Sequence, residues 1–255
     1  MKNGYRLPRS VRTLGLIVAL FPASVACGSK HSTSHNATAP TEAAISTPRA
    51  TPTPSPQNLM DAAIRNTDAL KTFHFTLTHE NGTTPIAQGI SMKKADGDFQ
   101  RPDRLRATVS GTVQQGFAVD AKVISVGDSV WIAVVGNKYL PLQNGVGAST
   151  ILDPNNGVLK ALRGVKNPTY AGTDKINGAD MTIVSGTIDA GDLVAIDSEA
   201  QAGKPVNGKV WIGKSDQRVY RIRMEGPLND GEPANIARQI DLSQFDASLD
   251  IQPPA

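Results

Sequence analysis

The side chain with the most reactive potential in this sequence is a solitary one. Cys27 is the only cysteine among 255 residues, so neither an intramolecular disulfide nor a cysteine metal site is available. Of the four histidines, His31 and His35 sit in a Ser/Thr-rich stretch that reads as solvated chain. His74 and His79 fall five apart on an alternating, strand-like run, which puts them on opposite faces and rules out a shared metal. Asp96, Asp98 and Asp103 invite comparison with a carboxylate pair or a calcium loop, but the Gly and terminal Glu registers are absent, and the group is read as turn chemistry. Asp153-Pro154-Asn155-Asn156-Gly157 fits a helix start better than a metal loop, and Gly145-Val146-Gly147 is too short to cradle a phosphate. No Gly-x-Ser-x-Gly elbow occurs. The expectation is a protein without enzymatic activity, without a metal site and without a dissociable cofactor.

The surroundings of Cys27 give its chemistry a direction. Lys2, Arg6, Arg9 and Arg12 precede an apolar run from Leu14 to Phe21, and no acidic residue occurs before Cys27. That run is too short for a hydrocarbon layer of about 30 Å and has the form of a secretion signal occupying residues 1–26. Ser24-Val25-Ala26-Cys27 resembles the bacterial lipobox, in which the thiol receives diacylglycerol before cleavage; Ser24 stands where Leu or Val is more common. The alternative is an ordinary signal with an incidental cysteine, and the placement of the sole cysteine at the cut favours acylation. The expected location is the extracytoplasmic face of the cell membrane, held by the acyl group on Cys27.

Losing the signal reverses the net charge. The chain has 26 basic and 23 acidic residues, and four of the basic ones lie in the signal, so the mature part is close to neutral. No cluster of Lys and Arg follows, so nucleic acid is not an expected partner. From Cys27 to Pro56 the chain is rich in Ser, Thr and Pro, with Ile45 the only sizeable aliphatic residue. Such a stretch cannot bury enough apolar surface to offset its ordering entropy, and it reads as a tether. Residues 57–255 then suit one domain.

Within that domain, Ser55 as N-cap and Pro56 at the first helical position open a helix with Leu59, Met60, Ala63, Ile64, Thr67 and Leu70 on one face. Phe73, Phe75 and Leu77 then alternate with His74, Thr76 and Thr78, the period of a half-buried strand. Further strands are expected over 86–94, 99–110, 115–126, 129–135, 170–176, 181–188, 208–212, 219–225, 236–242 and 247–251, with Gly127-Asp128 as a hairpin turn. Two short helices interrupt them. One starts at Asp153-Pro154 and carries Val158, Leu159 and Leu162, and the other starts at Asp189 with Asp192. The fold class is α+β, a few helices packed on one side of a large antiparallel sheet.

Several of these stretches resemble the LppX/LprA/LprF/LprG family of actinobacterial-type envelope lipoproteins. They are Gly97-Asp98-Phe99-Gln100-Arg101-Pro102-Asp103-Arg104-Leu105, Val126-Gly127-Asp128-Ser129-Val130-Trp131, Ile151 to Leu159, Ile176-Asn177-Gly178, Gly208-Lys209-Val210-Trp211-Ile212, Ile240 to Phe245 and Ile251-Gln252-Pro253-Pro254. They occur in the family's order across the domain. The resemblance implies a curved sheet like an unclosed half-barrel, similar in shape to LolA/LolB-type carriers, wrapped around helices with a central apolar cavity. It implies as ligand an acylated lipid or glycolipid that the protein helps move through the envelope, with the membrane and a membrane transporter as partners. On that reading Phe75, Leu77, Val130, Ile132, Val134, Leu159 and Leu162 are the candidate lining. The residues alone fit a filled core equally, since interiors are close-packed as a rule. The alternative function is therefore a tethered binding or scaffold module recognising an envelope protein or polysaccharide. Replacing Cys27 with Ala should abolish incorporation of labelled fatty acid and release the protein from the membrane fraction; a variant that keeps its label would overturn the lipobox reading.

Overall fold

The computed structural model describes residues 54–254, apart from 87–88, 114–115 and 144. The signal, Cys27 and the tether as far as Thr53 lie outside the described residues. The domain opens with helix α1 (Pro56–Asp68), whose start is built as its sequence suggests. Ser55 Oγ accepts from the Asn58 amide at 3.2 Å, and Pro56 supplies no donor where none is needed. Its buried stripe is Leu59, Met60, Ala63, Ile64 and Thr67.

Twelve strands form one antiparallel sheet. They are β1 (Thr72–Glu80), β2 (Thr84–Ile86), β3 (Ile90–Gln100), β4 (Arg104–Thr112), β5 (Ala118–Val126), β6 (Ser129–Ala133), β7 (Leu140–Pro141), β8 (Lys166–Ile176), β9 (Ala179–Asp189), β10 (Pro205–Gly213), β11 (Val219–Glu225) and β12 (Ala237–Ser243). The spatial order is β7-β6-β5-β4-β3-β1-β12-β11-β10-β9-β8, with β2 also paired to β3. The first-formed strand thus lies in the middle, and two meanders run out from it to opposite edges. Because β7 and β8 are those edges, the chain between them must cross the sheet. It does so as α2 (Ala148–Leu152) and α3 (Val158–Arg163), which touch β4, β5 and β9 and bury Ala148, Leu152, Ala161 and Leu162. The sheet stays unclosed, and the helices cover one of its faces.

β1 shows how the two faces divide. Phe73, Phe75 and Leu77 point inward, and Phe99 stacks on both phenylalanines with ring centroids 5.2 and 4.9 Å away. His74 points outward and meets Asp98 at 2.9 Å, and Asp98 in turn meets Arg106 at 2.8 Å. Burial works against ionisation of Asp98, but the hydrogen bonds from Arg106 and His74 outweigh it and hold its carboxyl below the usual range. Asp96 and Asp98 are therefore not turn residues as expected from sequence. They stand on β3 as cross-strand partners of Thr76 and His74, and only Asp103 sits in a turn.

Other boundaries moved for identifiable reasons. The expected strand 99–110 is two strands, because Pro102 has no amide to offer a ladder and a turn at residues 101–103 separates β3 from β4. The helix expected at Pro154 begins at Val158. The Asp153 carboxylate accepts from the amides of Asn155 and Asn156 at 2.7 and 3.2 Å, holding a turn in place of a helical start. At Asp189 the helix is only a 3-10 turn, Ala190–Leu193, since the Asp189 carboxylate serves the amides of both Gly191 and Gly203 at 2.9 Å. Residues 247–251 are not a strand. Ile251 is buried and fixed by side chains, its amide on Gln100 Oε1 and its carbonyl on the Arg104 guanidinium.

Where β1 ends, an inward polar group is fully enclosed. His79 Nδ1 lies 3.1 Å from the Lys93 carbonyl and Nε2 lies 2.8 Å from Thr84 Oγ1. A carbonyl can only accept, so Nδ1 carries the proton and Nε2 accepts from the threonine hydroxyl. Arg238, wholly buried, also reaches Thr84 and pairs with Glu232. Burial, opposed by the bond to the Lys93 carbonyl and reinforced by the charges of Arg238 and Lys93, lowers the His79 pKa from 6.5 to about 4. Between those values the unfolded chain binds a proton that the fold refuses. Stability at this site is therefore complete above 6.5 and lost as pH falls to about 4, in total on the order of 3 kcal/mol. His79→Gln should remove that part of the pH dependence, read as the difference between urea midpoints of variant and wild type at the two ends of the window; equal pH slopes for both proteins would contradict it.

Candidate functional site

Beneath the sheet the interior is hollow. A cavity of about 580 Å³ lies between the concave face and the crossing segment. Its floor is Phe73, Phe75 and Leu77 of β1, Met92, Ala95 and Phe99 of β3, and Leu105, Ala107 and Val109 of β4. Val123 of β5, Val130 and Ile132 of β6, Ile222 of β11, and Ile240 and Leu242 of β12 extend it. Its roof is Ile151, Leu152, Val158, Leu159 and Leu162, with Ala195 and Ile196 from the stretch after the 3-10 turn. The lining residues that reach solvent are Pro85, Gln143, Val146, Ser198 and Glu199, and they mark the mouth.

The hollow has a cause in the residue sizes. Along the centre of the concave face Ala95, Gly97 and Ala107 stand where neighbouring rows carry Phe, Leu or Val. Gly97 is opposite both Phe75 and Ala107, and a Cβ there would come within 2.7 Å of the Ala107 Cβ, so the strands approach closely at this row. The roof helices are five and six residues long, too short to send bulky side chains along the whole floor. The space that the small residues vacate is left unfilled.

One end of the cavity is closed by polar clamps. Arg101 lines it, yet its guanidinium is occupied with Asp68 at the end of α1 (2.9 Å) and with the Leu152 carbonyl at the end of α2 (3.2 Å). Thr67 Oγ1 donates to the Ala63 carbonyl at 2.7 Å and accepts from the Val219 amide at 2.9 Å, tying α1 to β11. The site therefore presents surface for hydrocarbon and has no constellation of free acids, bases or nucleophiles along its walls. Among the described residues no group of three or more His, Cys, Asp or Glu is placed to hold a metal.

Six of the residues named from sequence are in the lining: Phe75, Leu77, Val130, Ile132, Leu159 and Leu162. Val134 is not. β6 ends at Ala133, the alternation stops with it, and Val134 turns to solvent at 44% exposure. The small residues Ala95 and Ala107, and with them Phe99 and Leu105, were missed. The inward alternation of residues 95–109 carries the signal that would have found them.

An unclosed antiparallel sheet curled over a hollow aliphatic interior defines a class of half-barrel proteins whose core is a chamber. Within that class the chain belongs to the LppX_LprAFG lipoprotein family, whose model matches residues 55–251. It is similar to the lipoarabinomannan carrier protein LprG of Mycobacterium tuberculosis, with 28% identity over 185 residues, 71% of this chain and 76% of that protein. The crystal structure of LprF from Mycobacterium bovis superposes with a TM-score of 0.63 at 21% identity, covering 78% of this chain and 97% of that one. That of the M. tuberculosis lipoprotein LppX gives 0.57 at 21% identity over 77% and 98%.

The cavity makes a prediction independent of any ligand. In a filled interior, Ala95→Phe would overpack by about 1–3 kcal/mol and lower the melting temperature by several degrees. Facing empty space, the new ring should leave the melting temperature within about 2 °C of wild type in a calorimetric scan, and a drop of many degrees would show that the space is already taken.

Proposed function

We propose that this protein is a membrane-anchored carrier that shelters the acyl chains of a lipid or glycolipid while it moves across the cell envelope. The observation that carries the reading is the large apolar cavity. By the cost of cavities in protein cores, about 24 cal/mol per Å³, leaving 580 Å³ unfilled is worth on the order of 10 kcal/mol. That rivals the whole stability of a typical domain, about 5–15 kcal/mol. Water gains little in a chamber walled by Phe, Leu, Ile, Val and Ala, and hydrocarbon relieves the cost.

At about 30 Å³ per methylene-sized group, the share of one water in the liquid, the chamber takes roughly twenty such groups. It suits the tails of a lipid, and a sugar or phosphate headgroup would remain at the mouth beside Gln143, Ser198 and Glu199. Each methylene gives up about 0.8 kcal/mol of burial on leaving the bilayer and regains a similar amount in the chamber. The exchange is then close to balanced, which a carrier needs if it is both to load and to unload. The acyl group on Cys27 and the tether keep the domain beside the membrane that supplies the lipid, and a membrane transporter is a further partner in this scheme.

Native mass spectrometry of the acylated chain, released from detergent after production in an envelope that contains glycolipids, tests the proposal. Wild type should carry a non-covalent lipid at close to one per chain. Ala95→Phe should lower that occupancy severalfold at unchanged fold. A wild-type protein recovered free of lipid would remove the basis for the carrier reading.

A further inference from the structure

Large apolar side chains that face solvent are few in this domain, and most of them gather in one region. Phe117 is 65% exposed, Val135 83%, Leu140 56%, and Val134 and Val146 43–44%, whereas Tyr170 and Val194 are the others of this kind among the described residues. The strand registers place them together. Lys122 of β5 faces Ala133, so Val134 and Val135 continue along β5 toward its start, and Phe117 stands just before that start. Leu140 faces Ile132 on the next strand. The four residues thus crown the same end of β4, β5, β6 and β7.

The sequence around them is almost without charge. From Ser129 to Leu152 the only charged residue is Lys138, and residues 112–119 have none. The nearest further charges are Lys122, whose Nζ holds Asn137 at 2.6 Å, and Asp120 beside it on β5. The same stretch runs directly into the cavity: Leu142 and Val146 line it, and Leu142 packs with Ile86, another lining residue, against one small cluster of Ile90, Ala121 and Ile132. An exposed aliphatic and aromatic crown with a lysine at its rim, continuous with the mouth of a hydrocarbon chamber, has the composition of a surface that enters the headgroup layer of a bilayer.

We infer that Val134, Val135, Leu140 and Phe117 form a membrane-docking surface that seats the cavity mouth on a lipid bilayer, with Lys138 at the headgroups. This rests on the carrier reading for its purpose, but the docking itself is measured separately. Docking places the opening at the depth of the acyl chains, so that a tail slides into the chamber without crossing water.

The acylated full chain itself allows the test, because its lone cysteine is consumed by the anchor and a cysteine placed elsewhere is the sole free thiol. Val135→Cys labelled with an environment-sensitive dye, in vesicles of phosphatidylcholine and phosphatidylglycerol carrying nitroxide acyl chains, should be strongly quenched. The same label on Lys209→Cys, an exposed position of β10, should not be. Adding Leu140→Glu to the first protein should reduce quenching to the control level, with an unchanged melting temperature because the side chain is exposed. A label at position 135 that is quenched no more than the control overturns the inference. So does a label shielded without vesicles in a concentration-dependent way, which would make a second copy the occupant. Lipid recovered with an unquenched label leaves the carrier reading standing and removes the docking surface, and a quenched label on a lipid-free protein does the reverse.

Discussion

The ladder bonds of β1 to β3 on one side and to β12 on the other join two meanders that share no other strand pairing. Everything hollow about the protein follows from that junction. A sheet grown outward from its middle has its two ends at opposite edges, and the chain must bridge them. The bridge passes across one face, which makes that face the inside. Thr67 on α1 locks to β11, and Arg101 at the end of β3 locks to α1 and α2, so that the three helices are moored where β1 begins. Away from that moored end no polar clamp crosses from roof to floor, and the interior opens.

The enclosed polar cluster at the far end of β1 complements this arrangement. His79, Thr84, Arg238 and Glu232 are buried together and satisfy most of one another's hydrogen bonds. Burying charge is costly unless it is paired. Here the pairing pins β2, and with it Ile86, over the cavity beside the mouth. The chamber thus has a polar bolt at each end of its floor and a wholly apolar length between them.

Much of this architecture was legible in the residues. The alternation of Phe73, Phe75 and Leu77, and the Ser55-Pro56 helix start, are local signals that tertiary structure did not override. What was not legible depended on competition. Asp153 and Asp189 each look like helix caps, and in both cases the carboxylate found amides in a tighter turn. Asp96 and Asp98 look like turn residues and found cross-strand partners that no local reading contains. Val134 has the right type and spacing for the lining, but a strand's length is set by its neighbour, and β7 supplies only two residues to pair with β6. The hollow itself depends on Ala95, Gly97 and Ala107 meeting on adjacent strands, a coincidence visible only once the register is known.

The roof of the chamber differs mechanically from its floor. The floor is a continuous network of ladder bonds, stiff against any change of spacing. α2 and α3 belong to no ladder; they hang between the opposite sheet edges at β7 and β8, restrained mainly by the Ala148 amide on Ser125, by the Arg101 and Asp68 clamp and by side-chain contact. A hammock slung in this way rises or settles by shifting van der Waals contacts without breaking a backbone bond of the sheet. The volume it encloses is therefore elastic on one side only, and guests of unequal girth are accommodated by the sag of the sling while the shape of the shell is kept.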